Sequence, residues 1–194
     1  VQGMLPIPFP GATNAGRSDR VQNAIDSLAS SGGIEARGAV YTKPEVVDFI
    51  LDLASARYSS DLTAIRFLEP SFGGGDFLIP LLKRILASWR SKHGESPSAS
   101  AIEDSLVGFE LHTETFSRTK DLIHNALIEE GFTHEDSKYL ADKWLYNDDF
   151  LLADAGNEFN VIVGNPPYVR QELIPAPLLR EYRLRFHTFY DRAD

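Results

Sequence analysis

The chain has 194 residues, 43% of them apolar and 24% charged, with a net charge of −9, the balance of a globular protein with one sizeable core. No run approaches the roughly 18 apolar residues of a membrane span, and no signal-peptide pattern stands at the start. Cysteine is absent, which removes disulfides, thiolate metal sites and cysteine nucleophiles within these residues and fits a cytoplasmic setting.

The charge is unevenly placed. Residues 1–99 sum to zero and 161–194 to +1, whereas 100–160 hold 14 acids against 4 bases. A chain that gripped nucleic acid by itself should carry a basic face, so any such grip must come mainly from elsewhere. An acidic, solvated helical surface accounts for the central block.

Residues 1–17 are rich in proline, glycine and small residues and read as an extended lead-in. Ser18 or Asp19 can cap a helix to about Ser31, with Val21, Ile25 and Leu28 on one face and Gly32 and Gly33 ending it. Pro44, behind Thr42 or Lys43 as cap, opens a second helix carrying Val46, Val47, Ile50, Leu51 and Leu53. Residues 64–70 (AIRFLEP) form a short strand stopped by Pro70, and 75–89 a helix that tolerates Pro80 near its first turn. A polar loop follows at 92–100. Residues 104–111 (DSLVGFEL) are a second strand, 113–131 an amphipathic helix closed by Gly131, 143–151 (KWLYNDDFL) hold a third strand, and 159–164 (FNVIVG) the fourth. Strands alternating with helices predict an α/β fold with a doubly wound, mostly parallel sheet. Its ligands bind at the carboxyl ends of the strands.

Those ends carry the chemistry. The first strand runs into Glu69-Pro70-Ser71-Phe72-Gly73-Gly74-Gly75-Asp76-Phe77. Glycines let a backbone approach a ligand, and the helix that follows offers unpaired amides. The dinucleotide fingerprint fails because the sixth position from Gly73 is Leu78. The acid before the loop favours a cationic or amine-bearing ligand, although a plain tight turn explains the glycines equally well. Glu110 ends the second strand, where an acid commonly accepts from both hydroxyls of a ribose; a helix-capping or surface acid is the alternative. The third strand ends in Asp148, Asp149 and Phe150, a carboxylate beside a ring that suits an adenine.

The fourth strand stops at Asn165-Pro166-Pro167-Tyr168. Two prolines cannot continue a sheet, and residues before proline are held extended. The Asn165 side chain and the Pro166 carbonyl are thereby fixed as two acceptors at the strand end, with the Tyr168 ring close by. Such a turn can receive a planar amino group and stack its heterocycle.

That motif resembles the catalytic motif of S-adenosylmethionine-dependent amino methyltransferases. The order Gly38-Ala39-Val40-Tyr41-Thr42-Lys43-Pro44, the Glu69–Phe77 loop, Glu110, Asp149-Phe150 and Asn165–Tyr168 is similar to the N6-adenine DNA methyltransferases of bacterial restriction–modification systems. Val169-Arg170-Gln171-Glu172 resembles the branch in which methylase and endonuclease often share one polypeptide. The resemblance covers about residues 36–194 and implies a Rossmann-like class I methyltransferase domain there, behind an N-terminal lead-in and helix over 1–35. It implies that Tyr41 and Thr42 hold the methionine end of the cofactor. Glu69, Pro70 and the backbone of Gly73 and Gly75 line the same pocket, with Asp76 beginning the helix. Glu110 binds the ribose, and Asp149 with Phe150 the cofactor adenine. Asn165, Pro166, Pro167 and Tyr168 are the catalytic turn. Phe72 stands where the family usually has a small residue or Cys, so a narrowed pocket is expected. No metal is implied.

The implied substrate is a flipped-out adenine in double-stranded DNA, gripped mainly by a target-recognition region beyond residue 194. Only four of the family's seven strands can be placed, so the fragment is expected to be incomplete, with the Val161–Val163 strand left as an open edge, and inactive alone. Arg170, Arg180, Arg183, Arg185 and Arg192 are candidates for phosphate contact or a mixed-charge helix surface. A methyltransferase acting on a glutamine amide of a translation factor, and a non-catalytic cofactor- or DNA-binding module, are the rival readings.

Overall fold

The computed structural model describes residues 17–30, 41–54, 56, 61–94, 97–156 and 158–188. The lead-in through residue 16, the Gly32–Gly33 stop, the Gly38-Ala39-Val40 stretch and the segment from 189 onward lie outside the described residues. Helix α1 is Asp19–Ser30 and α2 Pro44–Leu53. Strand β1 (Phe67–Glu69) leads to α3 (Leu78–His93) and the single turn α4 (Ala99–Ile102). Then come β2 (Leu106–Phe109), α5 (Thr113–Glu129), α6 (His134–Trp144) and β3 (Leu145–Tyr146). Strand β4 (Val161–Ile162), a 3-10 turn at Gln171–Leu173 and α7 (Ala176–Arg185) complete the described chain.

The four strands form one parallel sheet in the order β3-β2-β1-β4, with Phe67 opposite Leu106 on one side and Val161 on the other. This is a Rossmann-like α/β sheet, and its strand order reverses between β1 and β4, where such sheets open a crevice at their carboxyl ends. Side chains alternate across a strand. Phe67, Leu106 and Leu145 face the main core, packed by Leu51 of α2, Leu81 and Ile85 of α3, Ile123 and Leu127 of α5 and Trp144 of α6. Leu68, Val107 and Phe109 face the other way, covered by Tyr146, Phe150, Ala153, Ala155 and Phe159. Ile162 lies 63% exposed on β4, the outer strand of the described sheet. A third cluster joins Val21, Ala24 and Ile25 of α1 to Leu152, Leu178 and Tyr182, so α1 is seated on α7 beside the strand ends.

Several elements differ from expectation. Residues 73–77 form turns and α3 starts only at Leu78. In α2 the 100° step per residue turns Val47 and Leu51 inward, while Val46 and Leu53 are exposed rather than part of an apolar face. Helix α6 takes Lys143 and Trp144 from the expected third strand and was not foreseen. Its start is nevertheless written locally, because Thr133 Oγ1 accepts from Asp136 N at 3.0 Å as a cap. The end of the expected polar loop at 92–100 is the first half of α4.

One ion-pair cluster fixes the approach to the cleft. Arg84 of α3, only 3% exposed, donates to Asp52 at 2.6 Å and Asp48 at 2.9 Å on α2, and to the Ala56 carbonyl at 2.9 Å. Residues 41–43, which enter α2, are held over the glycine turn by this clamp.

Candidate cofactor-binding and catalytic site

At the carboxyl ends of β1, β2 and β4 the sheet opens into a cleft of about 370 Å³ lined by Tyr41, Thr42, Glu69, Gly73, Glu110, Asn165 and Pro167, among others. Residues from four separated stretches of sequence meet here. Asn165 shares this one cavity with the glycine turn.

Glu69 is its deepest acid. It is 1% exposed, and its Oε2 has no hydrogen-bond partner among the described residues. Burial pushes its pKa well above the ordinary carboxylate range; the Ser71 backbone N–H opposes this, and Asp76 and Glu110 add to the rise. The end of β4 presses on the same carboxyl group. A Cβ at Gly164 would come within 2.2 Å of Glu69 Oε1, so only glycine lets that strand end lie so close.

Glu110, 8% exposed, braces the glycine turn. Its Oε2 accepts from Gly73 N at 2.9 Å and its Oε1 from His112 N at 2.7 Å. Thr119 Oγ1 donates to the Gly73 carbonyl at 2.7 Å, closing the turn from α5. Gly75 has φ 87°, and a Cβ there would lie 3.1 Å from both Ile79 and Thr119. Phe72, expected to narrow the pocket, is 3% exposed. Its ring packs on Phe116, with centroids 6.1 Å apart, and into the space that Gly108 leaves.

Asp76 does not begin α3. Its Oδ2 instead accepts from Thr42 N at 2.9 Å, and Thr42 Oγ1 accepts from Asn165 Nδ2 at 3.2 Å. The Tyr168 ring is 72% exposed, and neither it nor Pro166 lines the cleft. Pro70 and Gly75 also stand outside its lining.

Asp149 and Phe150 lie apart from this cleft, at the end of β3. Phe150 packs on Phe109 with centroids 5.5 Å apart. Asp149 accepts from the Tyr182 hydroxyl and from Leu151 N. Burial holds its pKa above the usual range despite the Tyr182 hydrogen bond. Asp148 is engaged by Arg17 through two hydrogen bonds of 2.6 and 2.9 Å.

Set against known proteins, residues 53–194 match the Eco57I restriction-modification methylase family. The chain belongs to that family. It is 50% identical over 174 residues to the Type II methyltransferase M.PaeR7I of Pseudomonas aeruginosa, covering 90% of this chain and 30% of that protein. It is 40% identical over 161 residues to the Type II methyltransferase M.XhoI of Xanthomonas vasicola, covering 82% of this chain and 30% of that one. M.BstVI of Geobacillus stearothermophilus is 38% identical over 162 residues, with 81% and 29% covered. The chain thus spans about 30% of the length of these relatives.

In this Eco57I-type methylase chain the matched span includes all four strands. Several residues that build the site were missed in the sequence. His112 caps α5 by accepting from Thr115 N, a role that a histidine in the loop does not announce. Arg118 lines the cleft mouth on α5, yet in sequence it is one helix cation among others. Arg17 and Tyr182 reach the Asp148–Asp149 pair from 131 and 33 residues away, and no local pattern marks them.

Proposed function

We propose that this chain is the cofactor-binding and catalytic part of a DNA methyltransferase that transfers a methyl group from S-adenosylmethionine to the exocyclic N6 of an adenine flipped out of double-stranded DNA. The observation that carries this reading is Asn165 standing in one cleft with Glu69, Gly73 and Glu110. The family and the restriction–modification relatives support it.

The residues present fit the cofactor's chemistry. A cation with an amine and a ribose diol meets a buried acid with an unpartnered oxygen and a second acid braced at the end of β2. Glu69 would take the amine, Glu110 the ribose, and Gly73 would give close backbone approach, with Tyr41 and Thr42 closing the methionine end. The resemblance assigns the cofactor adenine to Asp149 and Phe150, across the end of β3 from Glu110. When bound, S-adenosylmethionine supplies an electrophilic methyl group.

Adenine N6 is a weak nucleophile because its lone pair is delocalised into the ring. The Asn165 Oδ1 and the Pro166 carbonyl would accept its two protons and favour a pyramidal nitrogen with a localised pair. This is positioning together with electrostatic stabilisation of charge that develops on nitrogen. Leaving the duplex costs a few kcal/mol, of which stacking on the exposed Tyr168 ring would return about 1–3 kcal/mol. No covalent enzyme intermediate is required.

The test uses the full-length protein with labelled cofactor, offered duplex DNA and, separately, a translation release factor. Label in DNA that digests to N6-methyladenine is expected, and Asn165→Ala is expected to abolish it while cofactor binding survives. Label in the protein alone, or an Asn165→Ala enzyme of normal rate, would overturn the reading.

A further inference from the structure

We infer that the Thr42 hydroxyl is a positioning group for Asn165, fixing which end of its amide faces the target amine; this rests on the adenine-methylation reading above. A primary amide has one end that only accepts and one that only donates. Rotated by half a turn, Asn165 would present N–H groups to the N–H groups of the target, turning an attraction into a repulsion. Nothing in the extended, proline-locked backbone prevents that rotation, because it occurs about a side-chain bond.

Thr42 prevents it. Its Oγ1 accepts from Asn165 Nδ2 at 3.2 Å across 123 residues of sequence. Oδ1 accepts no hydrogen bond among the described residues and is the end left for a ligand. Thr42 is itself anchored, since its backbone N–H donates to Asp76 Oδ2 at 2.9 Å. The next residues enter α2, which Arg84 ties to α3. A chain of contacts thus runs from the glycine turn through Asp76 and Thr42 to the amide at the end of β4. Both the Thr42 and the Asp76 side chains line the cleft, so the relay sits inside the site that it organises.

This role differs from a cofactor contact by Thr42, and the two are separable. In full-length enzyme, Thr42→Val keeps the shape and removes the acceptor, Thr42→Ser keeps the acceptor, and Thr42→Ala serves as a second deletion should the valine crowd the turn. Each is compared for kcat at saturating cofactor on duplex DNA, for cofactor Kd by calorimetry and for Tm. Thr42→Val and Thr42→Ala are expected to lower kcat by about tenfold or more with Kd within about threefold of wild type, and Thr42→Ser to recover kcat to within about threefold. A Kd that rises tenfold while saturated kcat holds would overturn the inference and make Thr42 a cofactor ligand. So would an unchanged Thr42→Val, or a serine variant as slow as the valine. Wild-type enzyme that labels protein but no DNA would instead remove the methylation reading itself.

Discussion

Gly164 lies against the carboxyl group of Glu69 so closely that a Cβ there would stand 2.2 Å from Oε1 and 3.1 Å from the carboxyl carbon. The contact joins the end of β4, which carries the catalytic turn, to the end of β1, which carries the buried acid. One side-chain atom added at this point tests whether the two ends form a single site.

Gly164→Ala is expected to fold, because the obstructed atom is the tip of a side chain and not backbone. Glu69 must then swing out of place. Cofactor Kd, measured by calorimetry, should rise by about tenfold or more, equivalent to roughly 1.4 kcal/mol. A variant that bound cofactor normally would place Glu69 outside the cofactor site.

Glu69 also sets a pH dependence. Its folded pKa is raised by burial, so between the ordinary carboxylate range and that raised value the folded protein holds a proton that the unfolded chain has released. Stability therefore falls as pH rises through this window. Glu69→Gln should flatten that fall and raise Tm near neutral pH. A cationic amine favours the ionised carboxylate, so cofactor binding should release protons in wild type and none through this group in Glu69→Gln. Calorimetry in two buffers of different ionisation enthalpy measures the difference; equal proton release by both proteins would refute the assignment.

The Arg17–Asp148 pair closes the end of β3 with side chains only 6% and 7% exposed. Arg17→Ala strands a buried carboxylate, a loss on the order of 3 kcal/mol, and thermal unfolding should fall by roughly 6–12 °C. Arg17→Ala with Asp148→Asn should recover part of that loss, since the uncompensated charge is gone. A single variant as stable as wild type would mean that the pair contributes nothing to folding.

Tyr168 makes the opposite case. At 72% exposure its ring adds little to the core, and Tyr168→Ala should leave Tm unchanged, with stability within about 0.5 kcal/mol of wild type. Methyl transfer at saturating cofactor should nevertheless drop about tenfold or more, the value of one lost base stack. An enzyme equally fast without the ring would remove the stacking role.

What could be read from the chain alone were features governed by near neighbours. Asn165-Pro166-Pro167 ends a strand because proline lacks the donor and restricts the residue before it, whatever surrounds it. The apolar runs at 67–69, 106–109 and 161–162 separated by helical patterns gave a parallel α/β sheet, since periodicity is local and parallel strands require a crossover. The Thr133 cap of α6 was equally local and was passed over because few apolar residues stand among that helix's charges.

Packing alone decided which distant groups share a hydrogen bond. Both Asp148 and Asp149 end a strand, but only the fold gives one to Arg17 and the other to Tyr182 and sets both apart from the cleft. Thr42 reads as a cap before Pro44, yet folding turns its hydroxyl toward Asn165 and its N–H toward Asp76. Gly164 reads as a strand end, and its need for glycine appears only when β4 lies beside β1. These partners are 33 to 131 residues apart, and a hydrogen bond acts over about 3 Å, so the amino-acid order could offer the groups and only the folded chain could pair them.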